Sequence, residues 1–317
     1  YLGQEVVPNS GCGSWLMENQ ATNLITYSED FSGWNSYQAT SNTITAPDGN
    51  SVLFLDFEDT RMFPTTTISN STEYTSSIYL KANKVADVKF RNAAGQDTVI
   101  SLTTDWMRYE LTGTSTSTVT NALLIDARFS QGLGAVGLEI SLWGAQLEEN
   151  SFSTSYIPTS GATSTRLRDI ATNSGNADLI NSEEGVLYAE ISALANDGQF
   201  KTVSLRNSAT NSYANTLNIT YSSTINQILA VYRVNTSSVV ILSKTLNNAL
   251  DFNKIAFKYK SGDFSLWING VEEDIASNTT MLSSGILDEV IFYRSDNSSP
   301  FYGKNKALAV YKTALTD

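Results

Sequence analysis

The chain has 317 residues, 41% of them hydrophobic and 16% charged. That suits two domains with cores of their own, but gives too little charge to solvate long helices. A formal net charge of −12 repels a phosphate backbone and sets nucleic acid aside as a partner. Histidine is absent and Cys12 is the single cysteine, which excludes HExxH zinc sites, Ser-His-Asp triads, Cys-His pairs and internal disulfides.

Residues 1–20 show no period and contain Pro8, Gly11 and Gly13. They are expected to be a connector from a preceding domain, with Trp15, Leu16 and Met17 packing on the first domain or on a neighbouring subunit. From Ala21 short strands are predicted over 51–59, 72–82, 86–92, 97–103, 105–114, 121–129 and 138–148. In 72–82, Tyr74, Ser76, Ile78 and Leu80 share one face. A polar strap around Pro158 follows, and GATSTRLRD (161–169) is expected to carry the chain across a boundary near 168. The same grammar then restarts. Strands are predicted over 185–194, 200–207, 216–222, 227–234, 238–245, 253–262, 263–274, 287–294 and 306–315, and TALTD (313–317) could open a short helix. Gly262-Asp263 and Asn269-Gly270 mark tight hairpin turns, because both pairs tolerate positive φ. Period-two runs punctuated by turns specify an all-β chain: two consecutive antiparallel β-sandwich (jelly-roll) domains, 21–168 and 169–317. No stretch reaches the roughly 18 apolar residues of a membrane-spanning helix, so no membrane insertion is expected.

NLITYSEDFSGWN (23–35), SIYLKA (77–82), LTTDWMRYELTGT (102–114) and LWGAQLEENSFSTSYIPTSGATSTRLRD (142–169) resemble the carbohydrate-binding-module-like jelly rolls of phage tail and virion proteins. FKYKSGDFSLWINGVEED (257–274) and the C-terminal YGKNKALAVYKTALTD resemble concanavalin A-like or laminin G-like sandwiches. The resemblance implies a non-enzymatic tail or head fibre on the virion surface, an adhesin: a homotrimer, assembled with other virion proteins, that attaches to bacterial surface glycans. It leaves open an accessory binding region of a polysaccharide-degrading enzyme, or a capsid decoration protein that binds no sugar. The Tyr1 start and Asp317 end are read as a window on a longer polypeptide.

Sugar sites set an aromatic face against a pyranose and bond its hydroxyls with nearby polar groups. Trp34 and Tyr37, in a Gly/Ser/Asn-rich loop, are candidates, although Phe31 and Trp34 could equally close the core edge. Trp106 and Arg108 are candidates at a strand start, again with a structural alternative. Trp143 and Trp267 lie in apolar strands and read as core. Asp56 and Glu58, on one predicted strand face, could imitate a glycosidase pair, but the third acid of that pattern is missing. Calcium is a possible cofactor at Asp48 and Asn50 or at Asn196 and Asp197, with Asp296-Asn297 of similar chemistry. Plain β-turns are the alternative at each.

Overall fold

The computed structural model describes residues 4–5, 13–116, 118, 123–171 and 174–315. All its regular structure is antiparallel strand, apart from a single 3-10 turn at Phe129–Gln131. The chain divides into two units: Gln20–Leu167, and Arg168–Asp317 joined by the N-terminal residues through Asn19.

In the Gln20–Leu167 unit, one sheet runs Met107–Thr114, Glu73–Ala82, Glu139–Glu148, Ser51–Asp56, Ala39–Thr45. A second runs Arg61–Met62, Leu124–Asp126, Ala86–Arg91, Asp97–Leu102. Ala86–Arg91 buries alternate side chains because successive Cβ atoms point to opposite faces. Tyr74, Ile78 and Leu80 enter the core with Phe90, Ile140 and Leu147, as the predicted face requires. Thr75 and Ser77 on the other face of Glu73–Ala82 are buried as well, because the strap lies over them.

That strap is held by a chain of polar contacts. Asn23, fully buried, donates from Nδ2 to the carbonyls of Ala145 (3.1 Å) and Ile157 (2.9 Å). Its Oδ1 accepts from the amides of Ile25 (3.0 Å) and Leu147 (3.1 Å). Gln146 Oε1 accepts the Ile157 amide at 2.7 Å, and its Nε2 donates to Glu148 at 2.6 Å. Glu148 also accepts the Thr154 amide and hydroxyl, at 3.0 and 2.6 Å. Gly144 adopts φ +65° at an irregularity in the Glu139–Glu148 pairing, and an added Cβ would lie 3.3 Å from the Tyr79 and Tyr156 rings. Only glycine takes that conformation without strain.

The Arg168–Asp317 unit stacks two sheets around Tyr232, Phe257, Tyr259 and Phe264. The larger runs Gln4–Glu5, Ser14–Met17, Gly303–Tyr311, Glu184–Ala193, Asn253–Lys260, Phe264–Ile268, Val271–Ala276. The smaller runs Ser237–Thr245, Gln227–Val234, Thr216–Tyr221, Lys201–Arg206, Glu289–Ile291. Asn269 and Gly270 both have positive φ and form the two-residue hairpin between Phe264–Ile268 and Val271–Ala276.

Three expectations change. Ser14–Met17, expected within a connector, is a strand paired with Gly303–Tyr311; its partner lies at the far end of the chain, where local periodicity gives no signal. GATSTRLRD was expected to be a crossing segment, but Ser164–Arg166 pairs with Ala21–Asn23, extending the first sandwich's tie. No helix forms over 313–315, the described part of TALTD. The polar edge strand Ala39–Thr45 lacks apolar alternation and was not anticipated. Residues 121–122 of the predicted 121–129 strand lie outside the described residues.

Replacing Asn23 with alanine strands two buried carbonyls and two buried amides. The expected cost is at least ~3 kcal/mol, read as a lowered denaturant midpoint. Burial raises the Glu148 carboxyl above its usual pKa, against the hydrogen bonds of Thr154 and Gln146. Its contribution is therefore full below the ordinary carboxylate range, near pH ~4.3, and is lost as pH rises through the raised value. Relative to Glu148→Gln, wild type should lose thermal stability from pH ~4 to ~8; a difference in Tm that does not change with pH would contradict this.

Candidate functional site

The Tyr27–Tyr37 loop is built from successive turns. Asp30 Oδ1 accepts the Ser32 amide at 3.0 Å and its hydroxyl at 2.6 Å. The Trp34 amide donates to Phe31 O (2.9 Å), and the Asn35 amide to Phe63 O (3.0 Å). Phe31 and Trp34 turn inward and meet edge to face, with ring centroids 5.0 Å apart. Trp34 is only 6% exposed, so it is a core residue whose rim reaches the surface.

Two hollows flank the loop and share Asp30. The larger, about 420 Å³, is lined by Tyr27, Asp30, Ser32, Trp34 and the Pro64–Thr66 segment. The smaller, about 200 Å³, lies against Glu29, Asp30, Phe31, Tyr37 and Leu53. Tyr27 is 48% exposed and lines the larger hollow. Ser32's hydroxyl and amide hold the Asp30 carboxyl below its usual pKa, so it stays ionised. Its Oδ2 has no protein partner among the described residues. Across the loop, the Tyr156 hydroxyl bonds Ser28 Oγ (2.6 Å) and donates to Glu29 (2.7 Å). Burial pushes that phenol well above its ordinary pKa, so it remains a donor. The arrangement combines an aromatic plate, a fixed anionic acceptor and the hydroxyls of Ser32, Thr65 and Thr66, with no basic side chain in either lining.

Trp34 and Tyr37 therefore line the two hollows beside Asp30, while Trp106 and Arg108 line neither. Trp106 is half-buried and donates Nε1 to Thr45 O at 2.8 Å. Arg108 braces the strap: it donates to Ser77 Oγ (3.0 Å) and Thr154 O (2.8 Å), and lies 5.6 Å from the Tyr79 ring centroid. Trp143 is buried between Tyr79 and Tyr156. Trp267, expected in the core, is half-buried and donates Nε1 to Ser265 Oγ.

The residues expected to offer calcium oxygens have other partners. Asp48 accepts the Asn50 amide (3.0 Å) and side chain (2.7 Å), a self-contained turn. Asn196 exchanges two hydrogen bonds with Asn226. Asp197 meets the Lys201 ammonium at 2.5 Å and accepts the Tyr302 hydroxyl at 2.8 Å. Burial lowers the pKa of Lys201 against the pull of Asp197. Asp296 is engaged by Arg294 and Ser298. Among the described residues, no three acidic, histidine or cysteine side chains gather as metal ligands. The Asp56–Glu58 pairing also dissolves: the strand ends at Asp56, which caps the Glu58 amide (3.0 Å), while Glu58 accepts the Gly137 amide (2.7 Å).

Sequence reasoning passed over Tyr27 and Asp30. The Asp-x-Ser spacing, which favours a side-chain-to-backbone turn, is the signal that could have found Asp30.

No family model matches the chain, and no curated protein does. Among solved structures it is similar to the CBM40 domain of Ruminococcus gnavus IT-sialidase bound to α2,3-sialyllactose, at 14% identity over 43% of this chain and 78% of that one, TM-score 0.35. It is also similar to domains LG4-5 of the mouse laminin α1 chain, at 10% identity over 91% of each chain, TM-score 0.34. A prokaryotic β-1,3-1,4-glucanase (lichenase) from a mouse hindgut metagenome aligns at 14% identity over 51% of this chain and 75% of that one, TM-score 0.32.

Proposed function

We propose that the chain is a non-enzymatic glycan-binding protein that attaches to a host surface through the Tyr27–Asp30 hollows of its first sandwich. The observation that carries this reading is the half-exposed Tyr27 ring beside an ionised Asp30 with a spare oxygen. A pyranose stacks its C–H face on the ring and donates hydroxyls to the carboxylate. The larger hollow holds one carboxylate, Asp30, against the two that glycoside hydrolysis uses, and in the smaller one Glu29 accepts the Tyr156 hydroxyl.

The sequence likeness of 23–35 and 142–169 to phage jelly rolls supports a virion setting, on a tail or head fibre, with bacterial surface glycans as the target. By the same likeness the assembly is a homotrimer. Sites that are weak singly then act together, and avidity exceeds single-site affinity by orders of magnitude.

Titration of polysaccharides and simple hexoses into the full chain by calorimetry tests the site. Tyr27→Ala and Asp30→Ala should each weaken binding at least tenfold, about 1.4 kcal/mol, with an unchanged melting temperature. Unaltered affinity in both would remove the site. Trp34→Ala is unsuitable as a probe, because truncating this core ring should cost about 3–5 kcal/mol of stability. Light scattering of the full-length protein tests the assembly, and a monomer would end the avidity argument.

A further inference from the structure

The second unit carries a hollow of a different kind. Ser14–Met17 pairs with Gly303–Tyr311, placing Trp15 opposite Asn305 and Met17 opposite Gly303. Beside this pairing lies a hollow of about 570 Å³, walled by Trp15, Ile170, Ala171, Phe292 and Leu308, with Asn305 in its lining. Trp15 is 52% exposed, unusual for so large an apolar ring beside a groove.

Asn305 makes this hollow more than an apolar recess. The residue is 5% exposed, and its Oδ1 is buried without a hydrogen-bond partner. A buried carbonyl left unpaired costs about 1–3 kcal/mol, and such groups in native proteins call for an explanation. Trp143 Nε1 is also buried and unpaired, but it sits sandwiched between the Tyr79 and Tyr156 rings. Asn305, by contrast, is in the lining of the hollow.

The charges at the rim are already committed. The Lys306 ammonium pairs with Glu190 at 3.2 Å and lies 5.7 Å from the Phe252 ring centroid. Asp169 accepts the Glu18 amide at 2.9 Å while its own amide donates to Glu18 O at 2.9 Å. The hollow therefore suits an uncharged ligand with one N–H donor, a small apolar group beside that donor and a flat apolar face. An acetamido sugar has this combination: the N–H, the acetyl methyl and the pyranose C–H face project from adjoining positions.

We propose that this hollow binds the acetamido group of an N-acetylhexosamine, with the amide N–H donating to Asn305 Oδ1. The methyl rests among Ala171, Phe292 and Leu308, and the ring lies against Trp15. The site belongs to the second sandwich and shares no residue with the Tyr27–Asp30 hollows.

Saturation-transfer NMR and calorimetry on the full chain test it, with N-acetylglucosamine, glucose and N-acetylalanine methylamide as probes. N-acetylglucosamine should bind with its strongest saturation at the acetyl methyl, and glucose at least tenfold more weakly. Measured in a Tyr27→Ala background, which removes the first-sandwich hollow, Trp15→Ala and Asn305→Leu should each reduce N-acetylglucosamine affinity at least tenfold. Asn305→Leu removes the unpaired carbonyl, so its melting temperature should equal or exceed that of wild type, which separates lost binding from lost folding. Equal affinity for glucose would overturn the proposal, as would wild-type binding in both variants or no N-acetylglucosamine binding at tens of millimolar. Tighter binding of the capped amide would reassign the hollow to a peptide segment and overturn it too. If only Tyr27→Ala abolishes all sugar binding, the first-sandwich reading stands and this one falls.

Discussion

The side chain of Asn23 is the constraint on which the first sandwich depends. A single amide bonds Ala145, Leu147, Ile157 and Ile25, and so ties the opening strand, the closing strand and the strap at one buried point. No other side chain of that size could do this: two donors and two accepting lone pairs are all used, and only an amide offers both. Gln146 and Glu148 continue the tie along the strap, each bonding its backbone. A polar network inside a core is favourable only when every member is satisfied, and around Asn23 the satisfaction is complete.

The candidate loop hangs from the same tie. Ser28 accepts the Thr159 amide and bonds Tyr156, while Glu29 accepts from Tyr156. Two strap residues thus fix the start of the Tyr27–Tyr37 loop, and Asn35 fixes its end on Phe63. Turns inside the loop then set Asp30 through Ser32. The carboxylate stands ready before any ligand arrives, and a preorganised group loses little conformational freedom on binding. Stability of the strap and geometry of the hollow are therefore one property.

How far the sequence revealed this depends on distance along the chain. Strands such as Glu73–Ala82 and Glu139–Glu148 were legible because alternation is local and strong, and Asn269-Gly270 because its turn chemistry is local as well. Ser14–Met17 was not legible, since its partner stands nearly three hundred residues away and only two of its four residues are buried. The strap was legible as a polar segment around Pro158, but the roles of Asn23 and Glu148 depend on contacts more than a hundred residues apart in one case and on burial in the other. Of the site candidates, Trp34 and Tyr37 drew notice as loop aromatics, and each lines one of the two hollows. Tyr27 and Asp30 escaped because an acid and a tyrosine in a polar stretch look like ordinary surface. The partners of the calcium candidates depend on information no pattern carries: Lys201 meets Asp197 from four residues away, in a geometry that composition does not specify.

The two hollows follow one logic with different energetics. Each sets a half-exposed aromatic ring beside a polar group with unused bonding capacity: Asp30 Oδ2 in one, Asn305 Oδ1 in the other. Asp30 is solvated in the empty protein, so a sugar hydroxyl must replace water there and the net gain per bond is small. Asn305 Oδ1 is buried and unpaired, so its cost is already present in the empty protein, and a ligand N–H that reaches it removes that cost. A donor in the right place is rewarded, and its absence leaves the site as it was. On the two proposed readings, the first hollow is thus suited to broad, weak contact with hydroxylated surfaces, and the second to discrimination between sugars that differ by one amide.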